Sequence, residues 1–256
     1  MKSFKQFKSY IEDSEKPKYA FNAHGSHAKH EKPKYAFNAH GSHAKQKISE
    51  SVSVYHKHMD DYFGGQQPEH VEEQMKNLQD NHPLSREAKS HIAHYTSDSA
   101  GINGTLLKQK EKGEETIGLK GLDDSFTPSK VNLTTYSGIG FDPREVRQEG
   151  KSKAGKPVFM SPTYMSTTHD KEVALHFSAV NSKPNKTPQI LQVETQPGQS
   201  IAVIGTHSQH PSESETLLPR DEHFEHISTT TYTNNQGDKV DVHRVRRIPK
   251  SEVIKD

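Results

Sequence analysis

An exact duplication near the amino terminus constrains the architecture of this 256-residue chain more than any other feature. The segment EKPKYAFNAHGSHAK at residues 15–29 recurs letter for letter at residues 31–45. Each copy has only Tyr and Phe as large apolar residues, so neither can bury enough surface to offset the entropy lost on ordering. We therefore expect residues 1–50 to be a disordered tail and residues 51–256 to hold the folded domain.

Histidines in this tail invite a comparison with metal sites, because imidazole binds borderline divalent cations. They are His24, His27, His30, His40 and His43. No carboxylate or thiolate completes a fixed set of ligands, and the chain contains no cysteine. We therefore interpret the tail as a solvated linker and predict no metal site. The absence of cysteine also excludes disulfide bonds and thiol nucleophiles.

Composition limits how much of the chain can form a core. Only 29% of the residues are hydrophobic, and the mean hydropathy is −0.98, which favours one compact domain with a solvated remainder. The 34 Lys and Arg residues nearly balance the 33 Asp and Glu residues, so no global field steers the chain to nucleic acid or an anionic membrane. No apolar run approaches the ~18–20 residues of a membrane helix. We expect a soluble protein without nucleic-acid or membrane partners.

The first fourteen residues, MKSFKQFKSYIEDS, predict a short amphipathic helix whose lysines interrupt any signal-peptide core. They resemble the capsid-targeting segments of internal head proteins in T4-like phages. A head protease cuts such proteins after Glu in an Ile/Leu-x-Glu pattern, and Ile48-Ser49-Glu50 fits it. This resemblance implies a virion location, phage head partners and later release into the host cytoplasm. The alternative is an uncut tail.

Beyond the tail, periodicity predicts helices first and strands afterwards. Residues 51–63 and 68–79 have helical spacing, and residues 84–109 predict a helix with Ser85 as its N-cap and a break near Ser99 to Gly101. One further helix is expected at 170–180. The predicted strands, rich in β-branched and aromatic residues, are 131–136, 157–167, 188–195, 200–205, 215–219, 223–232 and 239–245. This order indicates an α+β domain.

Three stretches together resemble the mono-ADP-ribosyltransferases of the toxin-like group, which carry an Arg, a Ser-Thr-Ser triplet and a Glu-x-Glu pair. The stretches IAHYTSDSAGINGTLL, FMSPTYMSTTHDKEVALHFS and ILQVETQPGQSIAVIGTHSQHPSESETLLPRDEHFEH follow the family's order over roughly residues 85–247. The resemblance implies N-terminal helices packed on a split, mainly antiparallel two-sheet transferase core with an NAD cleft. NAD would be the co-substrate, and the helix after the triplet would bring Phe177 to the cofactor.

Chemistry as well as the family resemblance points to a function for the pair Glu213 and Glu215. Breaking the bond between nicotinamide and ribose builds positive charge on the ribose, which a carboxylate can stabilise. At the head of a strand, residues two apart face the same side, so both glutamates are expected to face one cleft. By resemblance Glu215 is catalytic, and Glu213 contacts an arginine acceptor, whose guanidinium a carboxylate can orient. The alternative is an exposed, charged strand end.

Hydroxyl groups of the triplet Ser166-Thr167-Thr168 can line the cleft, with Ser166 orienting Glu215 and Thr167 and Thr168 near the cofactor. A polar strand without further function is the alternative. The loop at residues 206–212 matches the position where the family reads its protein substrate. Its candidate substrate contacts are His207 and His210.

One position departs from the family pattern. Where the family reads Tyr-Arg-Gly, with the Arg on the NAD phosphates, this chain reads Tyr136-Ser137-Gly138. A hydroxyl offers one donor and no charge where guanidinium offers five donors and a full charge. Arg144 and Arg147 are the nearest replacements in sequence, and Lys153 and Lys156 are weaker ones.

Two functions from different classes follow. The first is an arginine-directed ADP-ribosyltransferase that acts on host proteins, delivered in a phage head. The second is a non-catalytic head or interaction protein that keeps the transferase fold as a binding module. Ser137 favours the second, whereas Glu213, Glu215 and Ser166 favour the first.

We predict that residues 1–50 are dispensable for fold and chemistry, because the repeat cannot pack and the family resemblance begins after it. Differential scanning calorimetry of residues 51–256 should give the Tm of the full chain. A Tm several degrees lower would show that the tail docks on the domain.

Overall fold

A computed structural model describes residues 68–112, 120–146, 148–183, 186–233 and 238–255. The duplicated tail, the segment resembling capsid-targeting sequences and the helix expected at 51–63 lie outside these described residues, as does Arg147.

Helices form the first part of the domain, as predicted. They are α1 (Pro68–Asn81), α2 (Arg86–Ser97), α3 (Ser99–Glu111) and the short α4 (Lys120–Asp123). Ser85 is the N-cap of α2, since its side chain accepts a hydrogen bond from Ala88 N. The expected break between α2 and α3 falls at Asp98, whose side chain accepts a hydrogen bond from Gly101 N and caps α3.

The strands follow, with one helix among them. They are β1 (Thr127–Pro128), β2 (Leu133–Ile139), β3 (Gln148–Ser152), β4 (Pro157–Ser161), β5 (Met165–Thr168), β6 (Gln189–Thr195), β7 (Ser200–Val203), β8 (Glu215–Leu218), β9 (Glu222–Thr233), β10 (Lys239–Ile248) and β11 (Val253–Ile254). Helix α5 (Lys171–Asn181) lies between β5 and β6 and is capped by Asp170.

These strands form one curled sheet in the order β1-β7-β8-β5-β2-β6-β10-β9-β4-β3-β11. Neighbouring strands are antiparallel except for the parallel pair β6 and β10. The α+β class and the mainly antiparallel sheet are therefore confirmed.

The predicted split of the sheet lies between β5 and β2. Whereas β2 pairs with β6 over seven positions, it pairs with β5 through Tyr136 and Thr168 alone among the described residues. The order β1-β7-β8-β5 forms one half of the sheet, and β2 to β11 form the other. This narrow joint marks the position expected for the NAD cleft.

The single strand predicted at 157–167 is wrong. It is two strands, β4 and β5, which lie in different halves of the sheet. Pro162 lacks an N–H group for the ladder, and the Ser161 hydroxyl donates to the carbonyl of Thr163 at 3.1 Å, which turns the chain between them. Strand β3 was not predicted, because QEGKS carries neither aromatic nor β-branched residues.

Apolar clusters fix the helices on the sheet. Helices α2, α3 and α4 place Ile92, Tyr95, Leu106 and Leu122 against Leu217 of β8. Helix α5 instead packs Ala174 and Leu175 against Tyr136 of β2. The face between these two helical groups carries the joint, so a cleft there has α2 and α3 on one side and α5 on the other.

Candidate active site

Cross-strand register places three chemically important positions side by side at the joint. Tyr136 pairs with Thr168, and Thr168 pairs with Glu215. Directly opposite residues of neighbouring strands project from the same face of a sheet. Two strand spacings of ~4.8 Å therefore put Glu215 and Tyr136 about 10 Å apart on the cleft face.

Glu215 is the first residue of β8 and is only 6% exposed. Burial raises the pKa of its carboxyl to about 7, and the nearby charge of Glu213 adds to this rise. Hydrogen bonds from Ser166 and Ser208 act in the opposite direction and favour the ionised form. The Ser208 hydroxyl donates to Oε2 of Glu215 at 3.4 Å. Glu215 thus changes charge near neutral pH, which is the range useful for catalysis.

Ser166 lies on β5 with its side chain exposed to the cleft. Its hydroxyl lies 3.4 Å from the hydroxyl of Tyr95 on α2, and it also bonds Glu215. The expected contact between Ser166 and Glu215 is present. Ser166 therefore links the catalytic candidate to the helical side of the cleft.

Tyr95, Asn103 and Ser208 join the site although the sequence did not mark them as site residues. Asn103 Nδ2 donates to the Tyr95 hydroxyl at 3.2 Å and to the carbonyl of Tyr164 at 3.1 Å. Burial raises the pKa of Tyr95 to about 12, so its hydroxyl stays protonated and can donate. In the sequence, Tyr95 looks like an ordinary core residue on the apolar face of α2. A buried tyrosine, however, needs a hydrogen-bond partner for its hydroxyl, and this need could have indicated that Tyr95 contacts other polar residues.

The turn before β8 differs from the expected geometry of the glutamate pair. Both glutamates were expected at the head of a strand, but Glu213 ends a 3₁₀ turn (Pro211–Glu213) and only Glu215 is in the strand. Between them, Ser214 adopts a left-handed conformation with φ of 47°. A turn at Ser214 therefore separates the two glutamates, and the rule that residues two apart in a strand face the same side does not apply to them.

Glu213 is half-buried at the rim of the cleft. Burial raises the pKa of its carboxyl, and the charge of His210 lowers it in part. The charge of Glu213 in turn raises the pKa of Glu215.

The loop at 206–212 brings its histidines to the same rim. His210 is exposed, and its backbone N–H donates to the Ser208 hydroxyl at 2.9 Å. His207 is half-buried, and burial with the charge of Lys89 lowers its pKa. The loop is tied to α2, because Gln209 N donates to the Thr96 hydroxyl at 3.2 Å.

The remaining hydroxyls near the joint are engaged with carbonyl groups. Thr167 donates to the carbonyl of Thr216 and Thr168 to that of Glu213, each at 2.6 Å. The Ser137 hydroxyl donates to the carbonyl of Ser166 at 2.9 Å. These three side chains therefore hold strands together across and beside the joint.

Gly138 and Phe177 lie where α5 crosses β2. A Cβ atom on Gly138 would lie 2.2 Å from the carbonyl oxygen of Ala174 and from the amide nitrogen of Ser178. A side chain at this position would thus collide with the helix backbone. Phe177 is half-buried on α5, and its ring lies 5.5 Å from that of His176.

Arg144 lies apart from the glutamates. Its Nε donates to both carboxylate oxygens of Asp142, at 2.9 and 3.0 Å, and its guanidinium lies 3.9 Å from Asp241 on β10. The exposed turn between β3 and β4 carries Lys153, and Lys156 Nζ donates to the carbonyl of Ile227 at 3.4 Å.

Within the described ranges, no cluster of three or more His, Cys, Asp or Glu side chains is placed to hold a metal ion. The helices of those ranges are all too short or too polar to cross a lipid bilayer.

Comparisons with solved structures show the same fold in ADP-ribosyltransferases. The ADP-ribosyltransferase toxin Plx2a from Paenibacillus larvae is 18% identical, with 71% of this chain and 96% of that chain covered and a TM-score of 0.52. The C3 exoenzyme from Clostridium limosum is 15% identical, with coverages of 72% and 95% and a TM-score of 0.51. The ADP-ribosyltransferase Vis, in complex with agmatine, is 18% identical, with coverages of 74% and 89% and a TM-score of 0.51.

A comparison with curated protein sequences finds no match. The family described as ADP-ribosyltransferase exoenzyme, however, matches residues 67–245, which is more than half of the chain. The chain belongs to the ADP-ribosyltransferase exoenzyme family, whose co-substrate is NAD.

Proposed function

We propose that this protein transfers ADP-ribose from NAD to arginine side chains of host proteins. The observation that carries the proposal is the pairing of a buried carboxyl, Glu215, with a half-buried one, Glu213, at the rim of the same cleft. Glu215 suits a role toward the positively charged ribose inside the cleft. Glu213 suits a role toward an acceptor that arrives from solvent.

Glu215 would stabilise the ribose as the bond from its C1′ carbon to the nicotinamide nitrogen breaks. The bonding electrons leave with nicotinamide, which departs neutral, and positive charge develops on the ribose ring. An opposite charge nearby lowers the pKa of a carboxyl, so bound NAD favours the ionised form of Glu215. Ser166 and Ser208 hold that carboxylate from two sides. This arrangement is electrostatic stabilisation in a site that partly excludes water.

Glu213 would bind the guanidinium of the acceptor. A guanidinium nitrogen forms the new bond to C1′, and the proton that it loses passes to the Glu213 carboxylate. Burial raises the pKa of Glu213, which makes its carboxylate a stronger base. The similar transferase Vis has been solved with agmatine, which carries the same guanidinium group as arginine. That complex supports an arginine acceptor in this chain.

The diphosphate of NAD needs a cation that Ser137 does not supply. The Ser137 hydroxyl is already engaged with the carbonyl of Ser166, and Arg144 is held by Asp142. The geometry therefore gives little support to either as the phosphate ligand.

Lys171, in the first turn of α5, is a further cation near the joint. Its Nζ lies 5.9 Å from the centre of the Tyr136 ring, on the cleft face that also carries Glu215. A cation over an aromatic ring is attracted by the negative face of the ring. We propose that Lys171 binds the NAD diphosphate in place of the missing arginine.

The second candidate function is a binding module that has lost catalysis. Ser137 is the specific observation in its favour, because a neutral hydroxyl replaces the cation at that position. The two candidates differ in whether the cleft still turns over NAD.

A phage origin remains part of the proposal. The resemblance of residues 1–14 to capsid-targeting segments and the Ile48-Ser49-Glu50 sequence support packaging in a phage head, release into the host cytoplasm and contact with head proteins.

Replacing the glutamates one at a time tests the proposed chemistry. Glu215→Gln keeps the shape but removes the charge that faces the ribose, so NAD hydrolysis and protein labelling should both fall by ~10²–10³-fold. Glu213→Gln should lower labelling of host lysate proteins while slow NAD hydrolysis persists. Radiolabelled NAD measures both reactions. Equal activity of the wild type and Glu215→Gln would remove the transferase proposal.

The proposed phosphate ligand can be tested by removing the charge of Lys171 and by placing a positive charge at position 137 instead. Lys171→Met should raise the KM for NAD about tenfold, the scale of one charge-assisted hydrogen bond, and Ser137→Arg in the same chain should restore it. Lys250→Met is the matched control, because it removes an exposed lysine from the 3₁₀ turn Lys250–Glu252. An unchanged KM in Lys171→Met, with a raised KM in Arg144→Met, would assign the phosphate to Arg144.

The proposed processing predicts a new amino terminus. Mass spectrometry of the protein from purified virions should show Ser51 as its first residue. An intact Met1 would contradict cleavage after Glu50.

A further inference from the structure

The three residues that follow Ser166 form hydrogen bonds to the segment that carries Glu213 and Glu215. The Thr167 hydroxyl bonds the carbonyl of Thr216, and the Thr168 hydroxyl bonds the carbonyl of Glu213. His169 contributes two further bonds to the same segment. Its backbone N–H donates to the carbonyl of Ser214 at 3.2 Å, and its Nε2 shares a hydrogen bond of 3.0 Å with Oγ1 of Thr216.

The ring of His169 contacts β8 on the face opposite to the one that carries Glu215. Residues that follow one another in a strand project to opposite faces, so Thr216 points away from the cleft that Glu215 faces. Thr216 is fully buried, and His169 is 1% exposed. Burial lowers the pKa of His169 to about 4, so the ring is neutral at neutral pH and binds Thr216 as a neutral partner.

Packing alone does not explain a histidine at this position. Nδ1 of His169 is buried without a hydrogen-bond partner among the described residues. A buried polar atom without a partner costs stability, and an apolar side chain of similar size avoids that cost. The choice of histidine therefore points to the bond that Nε2 makes.

The strained turn explains why such a bond is useful. Ser214 has a left-handed backbone, which is uncommon for a residue with a side chain and persists only when its surroundings hold it. The bond from His169 N to Ser214 and the bond from its ring to Thr216 lie on either side of Glu215. On the other side of β8, Ile204 N donates to the carbonyl of Glu215 at 3.1 Å.

We propose that His169 is a positioning residue for Glu215, which it acts on through Thr216 and the Ser214 turn. This inference rests on the proposed function of Glu215. Without the ring, the start of β8 would relax toward solvent, and the Glu215 carboxyl would lose both its orientation and part of its burial.

Three variants separate positioning from packing. His169→Gln keeps a nitrogen that can reach the position of Nε2, His169→Leu fills the space without a polar atom, and Thr216→Val removes the partner hydroxyl at nearly constant shape. The double variant His169→Leu/Thr216→Val leaves neither group unpaired. Each is compared with the full-length wild type.

We expect His169→Leu to lower the kcat of NAD hydrolysis by at least about tenfold with little change in KM, because a small misplacement of a catalytic group lowers kcat strongly. The acid limb of its pH profile should move down from near pH 7, since a more hydrated carboxyl has a lower pKa. His169→Gln should restore most of kcat. The double variant should regain Tm but not kcat.

Titration of the Glu215 carboxyl by ¹³C NMR, assigned with Glu215→Gln, gives a readout independent of turnover. A lower Glu215 pKa in His169→Leu and in Thr216→Val, but not in His169→Gln, supports positioning. An unchanged Glu215 pKa in His169→Leu overturns it, as does a kcat that recovers together with Tm in the double variant. A wild type without NAD hydrolysis would refute the proposed function, whereas the titration would still decide the inference about His169.

Discussion

The joint between the two halves of the sheet is the constraint on which the rest of the structure depends. Tyr136 and Thr168 form the one register pair between β2 and β5 among the described residues, and the Ser137 hydroxyl crosses the same gap to Ser166. If β2 and β5 paired along their whole length, backbone hydrogen bonds would fill the gap between the two halves of the sheet. Because the joint is narrow, polar side chains replace backbone pairing there, and the same side chains form the site.

Burial of Glu215 conflicts with the stability of the domain, since the ionised form of a carboxyl is disfavoured away from water. The structure reduces this conflict with hydroxyl donors rather than with a cation: Ser166 and Ser208 bond the carboxyl. Neutral donors can bond the carboxylate without cancelling its charge.

Sequence reasoning predicted the class of the fold, and it assigned Ser166, Glu213 and Glu215 to a candidate site because they lie in motifs with a fixed order along the chain. It could not predict which groups the side chains at the joint bond. The hydroxyls of Thr167 and Thr168 bond the backbone carbonyls of Thr216 and Glu213. Such bonds depend on the partner strand, which local sequence does not specify.

Gly138 sets how closely α5 packs on β2. The backbone of α5 approaches so closely that even a single added carbon at this position would overlap it. Position 138 therefore sets the minimum spacing between β2 and α5. Any larger residue there would push the helix, and Phe177 with it, away from the sheet.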